Sequence, residues 1–221
     1  MRRLIWKLLF CCLAATILGG CQAKKSILLE DTLCEPPCWQ NIMPGSSSRE
    51  EVYQIVSGLS FIHTAPLATP KRNDNSRSYD SWNFQENIRE RGGRITYSNN
   101  IVAYMEFSES GNIRIGKMID FYGKPKFISI ITGWEDSRWL EVMWIYPTRG
   151  IVIIHFNHNW RPQGDYANIT PDLPVNDVYY FDPDLYDTLV ETVFYSPTMR
   201  EVVQESTRPW IDYGPMPYTE E

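Results

Sequence analysis

Hydrophobic and polar positions change period several times along this chain, and each change predicts an element. Residues 8–18 are an apolar run of eleven, interrupted only by Thr16, behind Arg2, Arg3 and Lys7. The run is too short to span a bilayer as a helix and fits the core of a signal peptide. The next period is helical: Val52, Ile55, Val56 and Leu59 fall at i, i+3, i+4 and i+7 and form one apolar stripe. Ser47 and Glu50 have capping-box spacing, Glu50 and Glu51 suit the positive end of the helix dipole, and Gly58 marks the end.

Residues 65–78 are rich in Pro, Asn, Ser and basic side chains and read as an inserted loop. Over 79–107 the pattern becomes strand, turn, strand, turn, strand, with turns expected at Gly92–Gly93 and at Ser98–Asn100. In the third of these runs Ile101, Ala103, Met105 and Phe107 are expected to share one face. Ile115, Met118, Ile119 and Tyr122 then define a second helix, capped by Gly123 and stopped by Pro125. Strand-like runs follow at 126–132, 139–146 and 151–156, the last two joined by the turn "PTRG". Further on, "VNDVYYFDP" reads as a strand. "DPDLYDTLVETVF" reads as a helix with Asp182 as N-cap and Pro183 at its first position. "PTMREVVQE" suggests a short helix, and "STRPWIDYGPMPYTEE" an extended tail over the surface.

A helix followed by three strands thus occurs twice, about seventy residues apart. This predicts an α+β fold, an antiparallel β-sheet backed by helices and built by tandem duplication. The organisation expected is a signal peptide (1–20), a tether (21–33) and one globular domain (34–221). Within the domain, 34–110 is the first repeat, 111–160 the second and 161–221 a C-terminal extension.

Charge and cysteine content add an address. The apolar run ends in "LGGC", Leu18 to Cys21, which resembles the lipobox of bacterial lipoproteins, where the cysteine carries lipid and becomes the mature N-terminus. Without Arg2, Arg3 and Lys7 the formal charge moves from -6 to -9. So acidic a surface repels phosphate backbones and argues against nucleic acid as a partner. Membrane attachment is then expected through the lipid on Cys21, on the extracytoplasmic side of a cell membrane or outer membrane. Cys11 and Cys12 leave with the signal, so Cys34 and Cys38 remain as one pair in an exported chain. With Glu-Pro-Pro between them and no histidine nearby, a structural disulfide clasping the tether to the domain is the expectation.

Candidate chemistry is sparse. His155 and His158 in "HFNHNW" lack a third ligand, and a strand puts residues three apart on opposite faces, so no metal site and no cofactor are expected. Asp182, Asp184 and Asp187 crowd one stretch, where helix capping accounts for most of the pattern. No nucleophile elbow, phosphate-binding loop or dinucleotide fingerprint occurs, and no catalytic residue is assigned. The aromatic side chains stand out. Trp134, Trp139 and Trp144 on a sheet are a candidate binding surface, set against the alternative of a thick core.

At "IMPGSSSREEVYQIVSGL" and "IGKMIDFYGKP" the chain resembles the small envelope lipoproteins of the SmpA/OmlA type. It is also similar there to β-lactamase-inhibitor-protein-like domains, and "CEPPCW" resembles uncharacterised lipoproteins with the same lead-in. Gly45, Ser46, Val52, Gly116, Tyr122, Gly123 and Pro125 carry the likeness. The resemblance implies a helix-backed sheet that binds another envelope protein without catalysis. The alternative is an envelope hydrolase or carbohydrate-binding protein using the acidic stretch with an aromatic platform.

Overall fold

The computed structural model describes residues 26–30, 33–63, 71–72, 77–84, 88, 90–109, 111–134, 138–161, 164–188 and 197–220. The expected signal peptide and Cys21 lie outside the described residues, as does most of the polar loop at 65–78. Helix α1 (Arg49–Ser57) begins one residue later than its sequence suggests. Ser48 is the N-cap, and Ser48 and Glu51 form a reciprocal capping box. Ser47 instead accepts a hydrogen bond from the amide of Met43 at 2.9 Å. Tertiary pairing decides between the two serines, because Ser48 bridges to Ile101.

The first meander consists of β3 (Arg77–Phe84), β4 (Glu90–Ser98) and β5 (Ile101–Glu109), edged by β1 (Ile62–His63) and β2 (Lys71–Arg72). After helix α2 (Ile115–Tyr122) come β6 (Phe127–Trp134), β7 (Arg138–Tyr146) and β8 (Ile151–Asn157). The remaining elements are β9 (Tyr166–Ile169), β10 (Asp177–Phe181), α3 (Pro197–Ser206), β11 (Arg208–Pro209), β12 (Gly214–Pro217) and β13 (Thr219–Glu220). The tail expected to be extended supplies the last three strands. Between β10 and α3, Pro183–Thr188 is a 3₁₀ turn, and the rest of the helix expected there lies outside the described residues.

Eleven strands among those described join in one sheet, ordered β1-β3-β4-β5-β10-β8-β7-β6-β11, with β2 on β3 and β13 on β6. Strand β10 pairs antiparallel with both β5 and β8, so β5 and β8 point the same way. The two meanders therefore approach β10 from opposite sides with equivalent strands parallel. Both α1 and α2 pack into the same core on one face of the sheet, here called the front. No rotation superposes one helix-and-meander unit on the other under those conditions, because their hands are opposite. The units share an order of elements and not an arrangement, and the tandem duplication expected from the sequence is not visible in the fold.

Two local readings also change. Gly92 and Gly93 lie inside β4, paired with Asn83 and Trp82, and not in a turn. The turn expected at Ser98–Asn100 forms at Asn99–Asn100, both at positive φ, 52° and 64°. Between Thr96 and Tyr97 the β4–β5 register shifts by a bulge that leaves Ala103 unpaired. Beyond it the faces swap, so Val102, Met105 and Phe107 join the front core while Tyr104 joins the back.

The front core is closed by the two helices, by β9 and β12, and by the N-terminal segment. Residues 26–30 are not a free tether, since Ile27 and Leu28 are fully buried. The Ser26 hydroxyl and the Ile27 and Leu28 amides donate to the Glu90 carboxylate at 2.7, 3.3 and 3.2 Å. Cys34 and Cys38 sit at disulfide distance, with Cα atoms 5.6 Å apart. They deliver Trp39 into an aromatic cluster, stacked on Trp82 at 5.6 Å and tilted against Phe107 at 4.9 Å. Among the described residues no helix is long and apolar enough to cross a membrane.

Candidate functional site

Strand β7 alternates as its pattern predicts, and the alternation separates the tryptophans. Trp144 is fully buried in the front core, while Trp139 is 7% exposed on the back, stacked on Phe156 at 5.6 Å. The backbone of Trp134 ends β6, and its side chain lies outside the described residues. Trp139 and Trp144 therefore do not share a surface, and the expected platform is replaced by a sheet buried on both faces in this half.

The histidines part in the same way. His155 is buried with Nδ1 2.8 Å from the Pro174 carbonyl oxygen, and burial lowers its pKa below the ordinary value. His158 is exposed in the turn after β8, its ring against Phe156 at 4.3 Å. No group of three metal-ligating side chains occurs among the described residues. Asp182 caps the turn that follows β10 by accepting from the Asp184 amide at 3.0 Å. Its carboxylate fills the space where a Cβ on Gly45 would stand, 2.2 Å away, which ties that glycine, at φ +81°, to this turn. Asp184 is exposed, and the Asp187 side chain is outside the described residues.

A polar surface emerges where the sequence drew no attention. On the back of the sheet, among the described residues, α3 and the 3₁₀ turn join β6, β7, β8, β10 and Tyr104 of β5 in one cluster, through Val203, Val202 and Tyr186. Beside that cluster, the described back-facing side chains of β3, β4 and the end of β5 are polar. Strand register lines up Ser81, Arg94, Glu106 and Tyr179 as one cross-strand row, and Asn83, Gly92, Ser108 and Asp177 as the next. The β3, β4 and β5 members of these rows line a groove of about 300 Å³, together with Gly93 and Arg91.

The electrostatics of the groove are internally tuned. Arg94 pairs with Glu106, its partner across the strands, and its guanidinium lies over the Tyr79 ring at 5.9 Å. Burial acts to lower the Arg94 pKa, but Glu106 outweighs it and holds the guanidinium above its usual value. Burial pushes the Asp177 carboxyl up, with Ser108 hydrogen bonding opposing the rise and Glu106 adding to it. Tyr179 is pushed up as well, chiefly by burial and then by Glu106. The result is a surface with both charge signs, amide and hydroxyl groups, and Ser81 and Asn83 exposed on it.

The sequence carried a signal for this surface. In "RITY", "YMEFSE" and "DVYYF" polar residues alternate with core residues, which marks strands with one wet face. Strand order alone could not be read, and it is the order that places those wet faces side by side. Comparison with family models, with characterised proteins and with solved structures finds no match for this chain.

Proposed function

We propose that this protein is a lipid-anchored envelope lipoprotein that acts as a non-catalytic binding module, holding a protein partner on the open half of its sheet. The observation that carries the reading is the paired polar rows of β3, β4, β5 and β10. Among the described residues, α3 covers one half of this sheet face and a charged groove lies over the other, an arrangement that suits a recognition surface. The anchor is supported by the signal core, by the small residues before Cys21, and by the likeness to SmpA/OmlA-type lipoproteins. The Cys34–Cys38 pair at bonding distance suits an oxidising compartment on the extracytoplasmic side. The enzyme alternative has less support, since Asp182 serves as a cap and the tryptophans are apart.

The test uses the full chain in cells and in detergent extracts. Cys21→Ala is expected to move the protein from the membrane to the soluble fraction, and continued membrane association contradicts the anchor. Ser81→Arg and Asn83→Lys alter exposed groove positions without touching the core. They are expected to abolish recovery of a co-purifying partner while circular dichroism is unchanged. A partner recovered equally by both variants, or glycan turnover lost on Asp184→Asn, overturns the binding-module reading.

A further inference from the structure

The polar groove lies at the end of the sheet where the chain enters the fold. Glu90 begins β4 and holds Ser26, Ile27 and Leu28, and the next two residues, Arg91 and Gly92, line the groove. Arg91 is the extra residue of a bulge, because β4–β5 pairing steps from Glu90–Glu109 to Gly92–Ser108 and passes it by. It is exposed there. Cys21 precedes Ser26 by five residues, which reach at most about 18 Å. Whatever path they take, a lipid on Cys21 keeps Ser26 within that reach of the headgroups, and the start of β4 is fastened to Ser26. The other end of β4, Ser98, lies six residues beyond Gly92, or about 20 Å along the strand.

The binding capacity left in the groove has one sign. Glu106 is paired with Arg94, and the Asp177 carboxylate beside the groove accepts from Ser108. Arg91 has no carboxylate at ion-pair distance among the described residues, and the Asn83 amide, across from Gly92, is exposed. A guanidinium beside an exposed amide suits a carboxylate, which it grips through two parallel hydrogen bonds. Anionic headgroups are poorer occupants. A planar surface meets the whole molecule, whose charge of -6 becomes -9 once Arg2, Arg3 and Lys7 are gone. A partner engaged at this end of β4 must itself stand beside the bilayer, as the extramembrane segments of an embedded protein do.

We propose that the groove takes a carboxylate-bearing segment of a membrane-embedded protein, in the layer next to the bilayer, and that Arg91 grips the carboxylate. The proposal rests on the lipid-anchor and binding-module readings above. It adds where the partner stands and which group it presents.

The experiment uses the full chain in cells, with a photo-crosslinking amino acid at position 81, which is exposed in the groove. The adduct is expected to stay with the membrane after alkaline extraction, and peptide mapping to place the link beside an Asp or Glu. Arg91→Glu sets like charges together and is expected to cut the adduct at least about tenfold, and Arg91→Lys less, with circular dichroism unchanged. A flexible spacer of about twenty residues inserted after Gln22 lowers the effective concentration and is expected to cut it about fivefold or more. In lipidated chain on phosphatidylcholine vesicles, energy transfer from a dye at Asn83→Cys to a headgroup acceptor should exceed that from Ser98→Cys at least about twofold, given their separation along the strand. An adduct that survives Arg91→Glu and the spacer overturns this proposal and leaves the binding-module reading standing. So does an adduct to lipid, to a second copy or to a freely soluble protein, and equal transfer from 83 and 98 overturns the orientation. Absence of any adduct removes the binding-module reading and this one with it. Membrane retention of Cys21→Ala refutes the anchor reading and the placement beside the bilayer, while the Arg91→Glu arm reads the carboxylate independently.

Discussion

The indole of Trp82 covers the backbone of Gly93, its direct partner across β3 and β4, so closely that a Cβ on Gly93 would stand 2.5 Å from Cζ2. The same arrangement recurs on the opposite face of the sheet, where Trp139 covers Gly133 and a Cβ would stand 2.6 Å from Cζ2. In each pair the tryptophan shields strand backbone that the glycine leaves bare. Gly93→Ala is expected to destabilise the protein by about 1–3 kcal/mol, the range for overpacking a filled core. Urea denaturation measures it, and a loss under about 0.5 kcal/mol would show that the indole moves aside freely.

Tyr122 joins three parts of the front core. Its hydroxyl contacts the Tyr180 hydroxyl at 2.7 Å and the Leu28 carbonyl at 3.2 Å. Tyr122→Phe leaves two buried polar groups short of a partner and is expected to cost about 1–3 kcal/mol. Amide exchange at Ile27 and Leu28 should accelerate in step, because the hydroxyl is what pins that turn to α2. Unchanged exchange there would detach the N-terminal segment from this network.

His155 gives stability a pH dependence whose sign follows from burial. Its folded pKa is depressed, so as pH falls the unfolded chain binds the proton first, near pH 6.5. The contribution is complete above about pH 6.5 and declines as pH drops below it, with a slope of at most about 1.4 kcal/mol per pH unit for one proton. His155→Gln should flatten the stability profile between roughly pH 6.5 and the folded pKa. Parallel profiles for the two proteins would assign the acid sensitivity elsewhere.

Peptide mapping of exported protein without reduction is expected to find Cys34 and Cys38 linked. Replacing both by serine should cost at or below about 3 kcal/mol, because the loop they close is short. Two free thiols in exported protein would remove the clasp from the account.

Much of the architecture was legible from local pattern. The stripe of Ile115, Met118 and Tyr122, the Gly123 cap and the alternation of β7 all appear where their periods put them. What was misread depends on partners distant in sequence. "GG" at 92–93 looks like a turn until Trp82 is known to lie across from it. Ala103 leaves its expected face because of a bulge against β4, and three serines in a row offer three cap positions that only the bridge to Ile101 distinguishes. The groove was hidden for the same reason. Arg94, Glu106 and Ser108 are unremarkable alone and become a surface through the β4–β5 register, which Asp177 joins only because β10 lies beside β5.

The position of β10 also bears on how the sheet is completed. Ribosomes deliver the chain from its N-terminus, so β5 and β8 are both available long before Asp177–Phe181 emerges. Until then each meander presents an unpaired inner edge, and the two edges point the same way. Five residues at 177–181 later bond to both, at Ser108–Tyr104 on one side and Ile154–Ile151 on the other. Such an interval leaves open edges of the kind that recruit other chains. A chain truncated before residue 177 is thus a candidate for self-association through those edges, whereas the complete chain closes them by itself.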